Sequence, residues 1–191
     1  GGDPAETAEA FSHLVKRWFM RAVKETAEEL EKYSSVMTYS RSGTVLAALL
    51  HLKSEGQTPR VLLTEGRPGL EGLKLARELA EAGFEVVLGT DAEAGVLLEK
   101  AEAVVVGADA VGPEEFFNKV GTRALALLAR ERGVPFYVAA SRDKVLSAEG
   151  LKYYRIKEMD PKEVAHLPGV RVINLYFEST PLKLVTRLLG V

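Results

Sequence analysis

The rhythm of hydrophobic and polar positions changes near residue 35. Before it, Phe11, Leu14/Val15, Trp18/Phe19, Ala22/Val23 and Leu30 recur at helical spacing, and no Gly or Pro follows Pro4 within that stretch. Asp3-Pro4-Ala5-Glu6 reads as the start of that helix: Asp3 caps, Pro4 takes the first position and Glu6 completes a capping box. One long helix or two both fit, and the aromatic stripe suits a core or a dimer surface.

After Ser35, short apolar runs alternate with helical-period segments. Strands are predicted at Val36–Tyr39, Val61–Thr64, Phe84–Leu88, Ala103–Gly107 and Phe136–Ala140. Helices are predicted over Gly43–Ser54, Leu70–Ala82, Ala92–Lys100 and Lys119–Arg132. Short linkers between them give the grammar of βαβ units, hence an α/β fold with a mostly parallel sheet flanked by helices. Val-rich strands without clean alternation point to burial on both faces. In the tail, the pattern predicts a short strand at Tyr153–Ile156, a brief helix at Lys162–Leu167 behind Asp160-Pro161, and a sixth strand at Val170–Leu175. Thr180-Pro181 then opens a final helix. The one boundary falls near Lys32–Ser35, giving an N-terminal helical segment (1–34) and an α/β domain (35–191).

Composition narrows the class. At 191 residues and 47% hydrophobic, the chain can fill one core. Its 27 acidic and 25 basic residues leave a net charge of −2, so direct nucleic-acid binding is not expected. There is no cysteine, which removes disulfides, thiolate catalysis and cysteine metal sites and suits a reducing cytoplasm. Apolar runs such as VLAALL are far too short to span a membrane, and the N-terminus does not read as a signal peptide. Gly1-Gly2 reads as an expression remnant or the edge of a trimmed fragment. Abundant Leu, Glu and Arg, three Met and a single Gln (Gln57) are compatible with a thermophilic source.

In open parallel sheets, ligands bind beyond the carboxyl ends of the strands. Four polar segments fall there: Tyr39–Thr44, Glu65–Gly69, Gly107–Asp109 and Ser141–Lys144. Ser40, Arg41, Ser42 and Gly43 place hydroxyls, a guanidinium and a glycine before a helix whose amides could hold a phosphate; ordinary capping by Ser42 is the alternative. Arg67, between glycines and a proline, could present its fork to a planar anion or make a surface ion pair. Asp109 could hold a substrate hydroxyl, act as acid/base if burial raises its pKa, or cap a turn. Asn118 and Lys119 open the next predicted helix, where amide, ammonium and backbone N–H groups could meet a phosphate; capping by Asn118 competes. Phe116-Phe117 reads as packing. There is no Walker loop, no GxGxxG after a strand and no HExxH among His13, His51 and His166, so no cofactor or metal is expected.

These segments carry a resemblance. Thr38-Tyr39-Ser40-Arg41-Ser42, Glu65-Gly66-Arg67-Pro68 with Gly72, Gly107-Ala108-Asp109, Asn118-Lys119-Val120-Gly121-Thr122 and Pro135–Ala140 occur in order over roughly residues 36–182. The chain thereby resembles the family joining the regulatory alpha, beta and delta subunits of translation initiation factor 2B with methylthioribose-1-phosphate and ribose-1,5-bisphosphate isomerases. The resemblance implies a Rossmann-like domain, a homodimer formed through it, and a pocket for a phosphorylated ribose. It assigns the family aspartate to Asp109 and the lining of the phosphate pocket to Arg67, Asn118 and Lys119.

Two departures bear on activity. Where the isomerases place an essential cysteine, this chain has Ser40, a far weaker acid than a thiol. The glycine-rich stretch before Asn118 is replaced by Val111–Phe117. The leading reading is therefore a binding or regulatory protein that takes a phosphorylated small molecule, a sugar phosphate or nucleotide. The alternatives are an aldose–ketose isomerase using Asp109 with Ser40 assisting, and an interaction module whose pocket is vestigial.

Overall fold

The computed structural model describes residues 4–191, with side chains from residue 8 onward. The predicted capping by Asp3 and Glu6 and the reading of Gly1-Gly2 lie outside the described residues. Six α-helices follow one another among the described residues: α1 (Pro4–Leu30), α2 (Gly43–Ser54), α3 (Glu71–Glu81), α4 (Ala94–Leu98), α5 (Thr122–Arg132) and α6 (Ala148–Leu151). The strands are β1 (Ser35–Thr38), β2 (Arg60–Thr64), β3 (Val86–Gly89), β4 (Ala103–Gly107), β5 (Ala110–Val111), β6 (Glu115–Lys119), β7 (Phe136–Ala139), β8 (Phe177–Pro181) and β9 (Arg187–Leu189).

Six strands form one sheet in the order β3-β2-β1-β4-β7-β9, with every pairing parallel. Alternate residues of each strand feed opposite cores. Val36, Val61, Leu63 and Val105 pack with Val23 and Leu30 of α1, Leu49 of α2 and Leu75 and Leu79 of α3. Met37, Leu62, Val104 and Val106 pack on the other face with Leu97 and Leu98 of α4 and Leu125 and Ala129 of α5. Burial on both faces explains why the strands read as continuous apolar runs. Each fully buried Leu or Val contributes roughly 1.5–3 kcal/mol, so the two cores dominate the stability of the sheet.

The long N-terminal pattern is one helix, and among the described side chains the buried ones lie in its second half. Phe11 stays exposed, Phe19 packs against the first core, and Ala22, Val23 and Ala27 are buried. Glu25 of α1 accepts from the Gly190 amide at 2.8 Å just past β9. The Arg21 hydrogen bond, aided by the Gly190 amide and the nearby Arg187, holds the Glu25 carboxyl below its ordinary value, against burial. A lowered folded pKa means this contribution is complete above about pH 4.5 and is lost as pH falls through the folded value. Glu25→Gln is therefore expected to show a shallower loss of melting temperature than wild type between about pH 5 and 3. Parallel curves for the two proteins would show that Glu25 does not contribute.

The tail departs from the sequence pattern. Val170–Leu175 is not a strand; only Leu175 makes an isolated bridge, to Glu158, while Val170 and Ile173 stay exposed. The sixth strand of the main sheet is instead Arg187–Leu189. Thr180-Pro181 ends β8 rather than opening a helix, and only a 3-10 turn follows at Leu182–Leu184. Tyr153–Ile156 is irregular, and the brief helix predicted after Asp160 contracts to a 3-10 turn at Pro161–Glu163. Helix α5 begins at Thr122 rather than Lys119. Asn118 and Lys119 belong to β6, in a second, antiparallel sheet of order β5-β6-β8. Its hairpin closes at Gly112-Pro113, where the Gly112 amide donates to Glu115 O at 2.8 Å.

Candidate functional site

The order β3-β2-β1-β4-β7-β9 reverses at β1 and β4, because the connections from β1 run one way and those from β4 the other. At such a switch point two loops diverge and leave a crevice beyond the carboxyl ends of the strands. Here Tyr39–Gly43 leaves β1 and Ala108–Asp109 leaves β4. Lys119 and Asn118, at the end of β6, are brought alongside by the small antiparallel sheet. Together they line a recess of about 180 Å³ that also includes Glu71, Gly107, Lys144 and Phe177.

Two close approaches set its shape. A Cβ on Gly107 would lie 2.4 Å from Ser42 Oγ, so glycine at the end of β4 lets the Ser42 turn sit against it. Ser40 bends the chain there with φ 61°, a left-handed conformation uncommon outside glycine. Ser42 then caps α2 by accepting from the Val45 amide at 3.3 Å. Gly121 has φ 102°, and a Cβ on it would lie 2.3 Å from the Tyr39 hydroxyl. That hydroxyl donates to Val120 O at 2.8 Å, and burial pushes the phenol well above its ordinary pKa.

Lys119 is only 2% exposed. Its ammonium donates to both carboxylate oxygens of Glu71, at 2.9 and 2.8 Å, and lies 4.5 Å from the centre of the Tyr176 ring. Asn118 Nδ2 donates to Thr122 Oγ1 at 3.0 Å, so this amide braces the start of α5 without capping its backbone. Glu178 does the capping, accepting from the Gly121 and Arg123 amides at 2.7 and 2.9 Å. A carboxylate of the chain thus occupies the helix start where the sequence pattern offered amides to a phosphate.

Asp109 lines the recess as an exposed residue. The protein packed around it still pushes its carboxyl above the ordinary aspartate range, and the Lys144 charge pulls it partly back. Lys144 itself donates to Ala108 O. Arg41 reaches Glu78 of α3 with two parallel hydrogen bonds of 2.8 and 2.9 Å, which hold its guanidinium at the rim.

Ser40, Arg41, Ser42, Gly43, Asp109, Asn118 and Lys119 therefore converge on one recess. Arg67 is not among its lining residues. It lies exposed beside Pro68, Val120 and Val164, with its amide donating to Asp91 Oδ2 at 2.7 Å. Asp91 also accepts from Thr64 Oγ1 at 2.6 Å and the Gly66 amide at 2.9 Å, so the turn after β2 is organised around that carboxylate. Glu71, Glu178 and Asp91 were not legible as site residues, since each meets partners distant in the chain. Lys144 lay within a segment marked by its place after a strand.

This arrangement accompanies a match to the initiation factor 2 subunit family over residues 5–190. The chain belongs to that family. It is 37% identical over 168 residues to a 5-deoxyribose 1-phosphate isomerase of Moorella thermoacetica, covering 82% of this chain and 48% of the relative. It is 40% identical over 159 residues to a methylthioribose-1-phosphate isomerase of Pelotomaculum thermopropionicum, covering 77% of this chain and 44% of the relative. The chain thus spans about half the length of these curated relatives. Among solved structures, Pyrococcus horikoshii translation initiation factor eIF-2B superposes with a TM-score of 0.79 at 33% identity, over 90% of this chain and 61% of that one. In this initiation factor 2 family member, the doubly covered parallel sheet is that of the eIF-2B structure. Among the described residues no helix is long and apolar enough to cross a membrane.

Proposed function

We propose that this chain binds a phosphorylated pentose in the recess and acts as a binding or regulatory protein without isomerising its ligand. The observation that carries the reading is the Lys119 ammonium, 2% exposed, on the wall of a recess it shares with Asp109, Ser40 and Asn118. Glu71 now supplies its anionic partner, but that carboxylate is part exposed and a ligand phosphate can take its place, while the polar groups around the ammonium suit sugar hydroxyls. A recess of about 180 Å³ falls below the ~300–1,000 Å³ of drug-sized pockets and favours a pentose phosphate over a nucleotide. The resemblance places the isomerases' cysteine at Ser40, and a serine hydroxyl is too weak an acid to replace a thiol near neutral pH.

Isomerisation is the second reading, supported by the isomerase names of two relatives and by the upward shift of Asp109, which suits an acid/base. Calorimetric titration with ribose-1,5-bisphosphate, methylthioribose-1-phosphate and common nucleotides, followed by NMR for turnover, separates the two. Binding of a pentose phosphate without turnover is the expected result. Turnover would make the protein an isomerase despite Ser40, and silence across the panel would remove the phosphosugar reading.

The protein is further proposed to work as a homodimer. Exposed Val164, Leu167, Val170 and Ile173 place apolar surface along one segment of the α/β domain. Sedimentation equilibrium is expected to give twice the chain mass, with Ile173→Glu shifting it toward one; a wild-type monomer at every concentration would refute the dimer.

A further inference from the structure

Lys119 lines the recess, yet its ammonium is already engaged by the chain itself. It donates to both oxygens of the Glu71 carboxylate, and the Tyr176 ring covers another side at 4.5 Å. Resting on the reading of the recess as a phosphate site, we propose that Glu71 is an internal counter-anion that a ligand phosphate must displace from Lys119, and that it thereby sets the affinity threshold of the site.

The two partners differ in the way such an exchange requires. Lys119 is 2% exposed and Glu71 is 33% exposed. An unpaired buried ammonium is strongly disfavoured, so Lys119 must hold an anion both with and without ligand. Glu71 can turn toward water at much smaller cost. It occupies the first turn of α3, where a released carboxylate remains favoured by the helix dipole. While Glu71 stays in place, its charge repels an entering phosphate.

Gly69 supplies an independent observation. A Cβ built there would lie 2.5 Å from Glu71 Oε1 and 2.8 Å from Cδ. The glycine therefore leaves the volume in which the carboxylate sits when it holds Lys119. Its φ is outside the left-handed region, and the three atoms nearest an added Cβ all belong to the flexible Glu71 carboxylate. Gly69→Ala is expected to press Glu71 away from Lys119 without replacing either charged residue.

Calorimetry with inorganic phosphate and methylthioribose-1-phosphate compares wild type, Glu71→Gln and Gly69→Ala, each checked for folding by its melting curve. Both variants are expected to bind phosphate about tenfold more tightly than wild type, the scale of a charged hydrogen bond that no longer has to be broken. Unaltered or weaker binding by both variants, with wild type still binding the sugar phosphate, overturns the inference and leaves the recess reading intact. Absence of binding by all three proteins overturns the recess reading, and the inference with it. Wild type alone gives a further readout: the Glu71 carboxylate 13C resonance should move as ligand is added. Saturation that leaves this resonance in place also overturns the proposal.

Discussion

Alanine at position 72 is expected to lower the melting temperature by roughly 6–12 °C, the effect of about 3 kcal/mol on a chain of this size. Gly72 is the second residue of α3, and a Cβ there would lie 1.9 Å from Thr64 O and 2.9 Å from the Glu65 carbonyl atoms. Those neighbours are backbone, so no rotamer change relieves the contact. Its own amide donates to Glu65 O at 3.0 Å, which fixes the helix start against the end of β2. Moving α3 away would draw Leu75 and Leu79, both fully buried, out of the first core. It would also disturb the Gly66 and Arg67 amides that converge on Asp91. Gly43→Ala provides the contrast: a Cβ at that position meets nothing within 4 Å, and its melting temperature should stay near wild type. A Gly72→Ala protein melting within about 2 °C of wild type would show that α3 is not seated against this backbone.

That close approach joins two elements, β2 and α3, that are themselves legible in sequence. Strands β1, β2, β4 and β7 were readable because burial on both faces leaves unbroken apolar runs, such as Ala103-Val104-Val105-Val106, beside helices of clear period. Glycine at positions 72, 107 and 121 marked segments of interest, but what each glycine must avoid is known only once the strand ends meet. Val170-Arg171-Val172-Ile173-Asn174-Leu175 has strand composition and makes none. Strand propensity expresses fit to a half-buried pleated surface, which this segment does not acquire; the strands laid beside β6 and β7 are Phe177–Pro181 and Arg187–Leu189. Pro181 is accommodated because β8 is an edge strand. Gly112-Pro113, between the apolar pairs Ala110-Val111 and Phe116-Phe117, is a turn dipeptide that could have signalled the hairpin, but only the helix-start pattern of Asn118–Thr122 entered the sequence reading.

The site divides in the same way. Positions that follow strands could be gathered from sequence, because topology alone sends Ser40 and Asp109 to one end of the sheet. Their electrostatic partners could not. Glu71 stands 48 residues from Lys119, and Glu178 stands 57 residues from Gly121. Pattern reading offered ammonium and amides as vacant anion sites; the folded chain fills both with its own carboxylates. On the proposed reading, phosphate binding becomes a competition between anions, and its strength depends on residues that would never touch the phosphate.

Lys119→Met tests the cationic half of that competition and should have the larger effect on binding. Methionine keeps an unbranched stem of similar length, so the channel beside Tyr176 remains filled. Glu71 loses its partner but is 33% exposed and can reach water. Removing one partner of an ion pair is costly when the remaining charge stays buried; Glu71 can hydrate instead, so the melting temperature should change little. Affinity for the sugar phosphate, in contrast, should fall by about 100-fold or more, the scale of a lost charge-assisted contact in a desolvated site. A general effect of net charge would also weaken an anion, but that part fades in salt, where the screening length shrinks to about 3 Å at 1 M. The loss should therefore persist when titrations are repeated at high ionic strength. Equal affinities of wild type and Lys119→Met in high salt would assign Lys119 a long-range role and place the phosphate elsewhere in the recess.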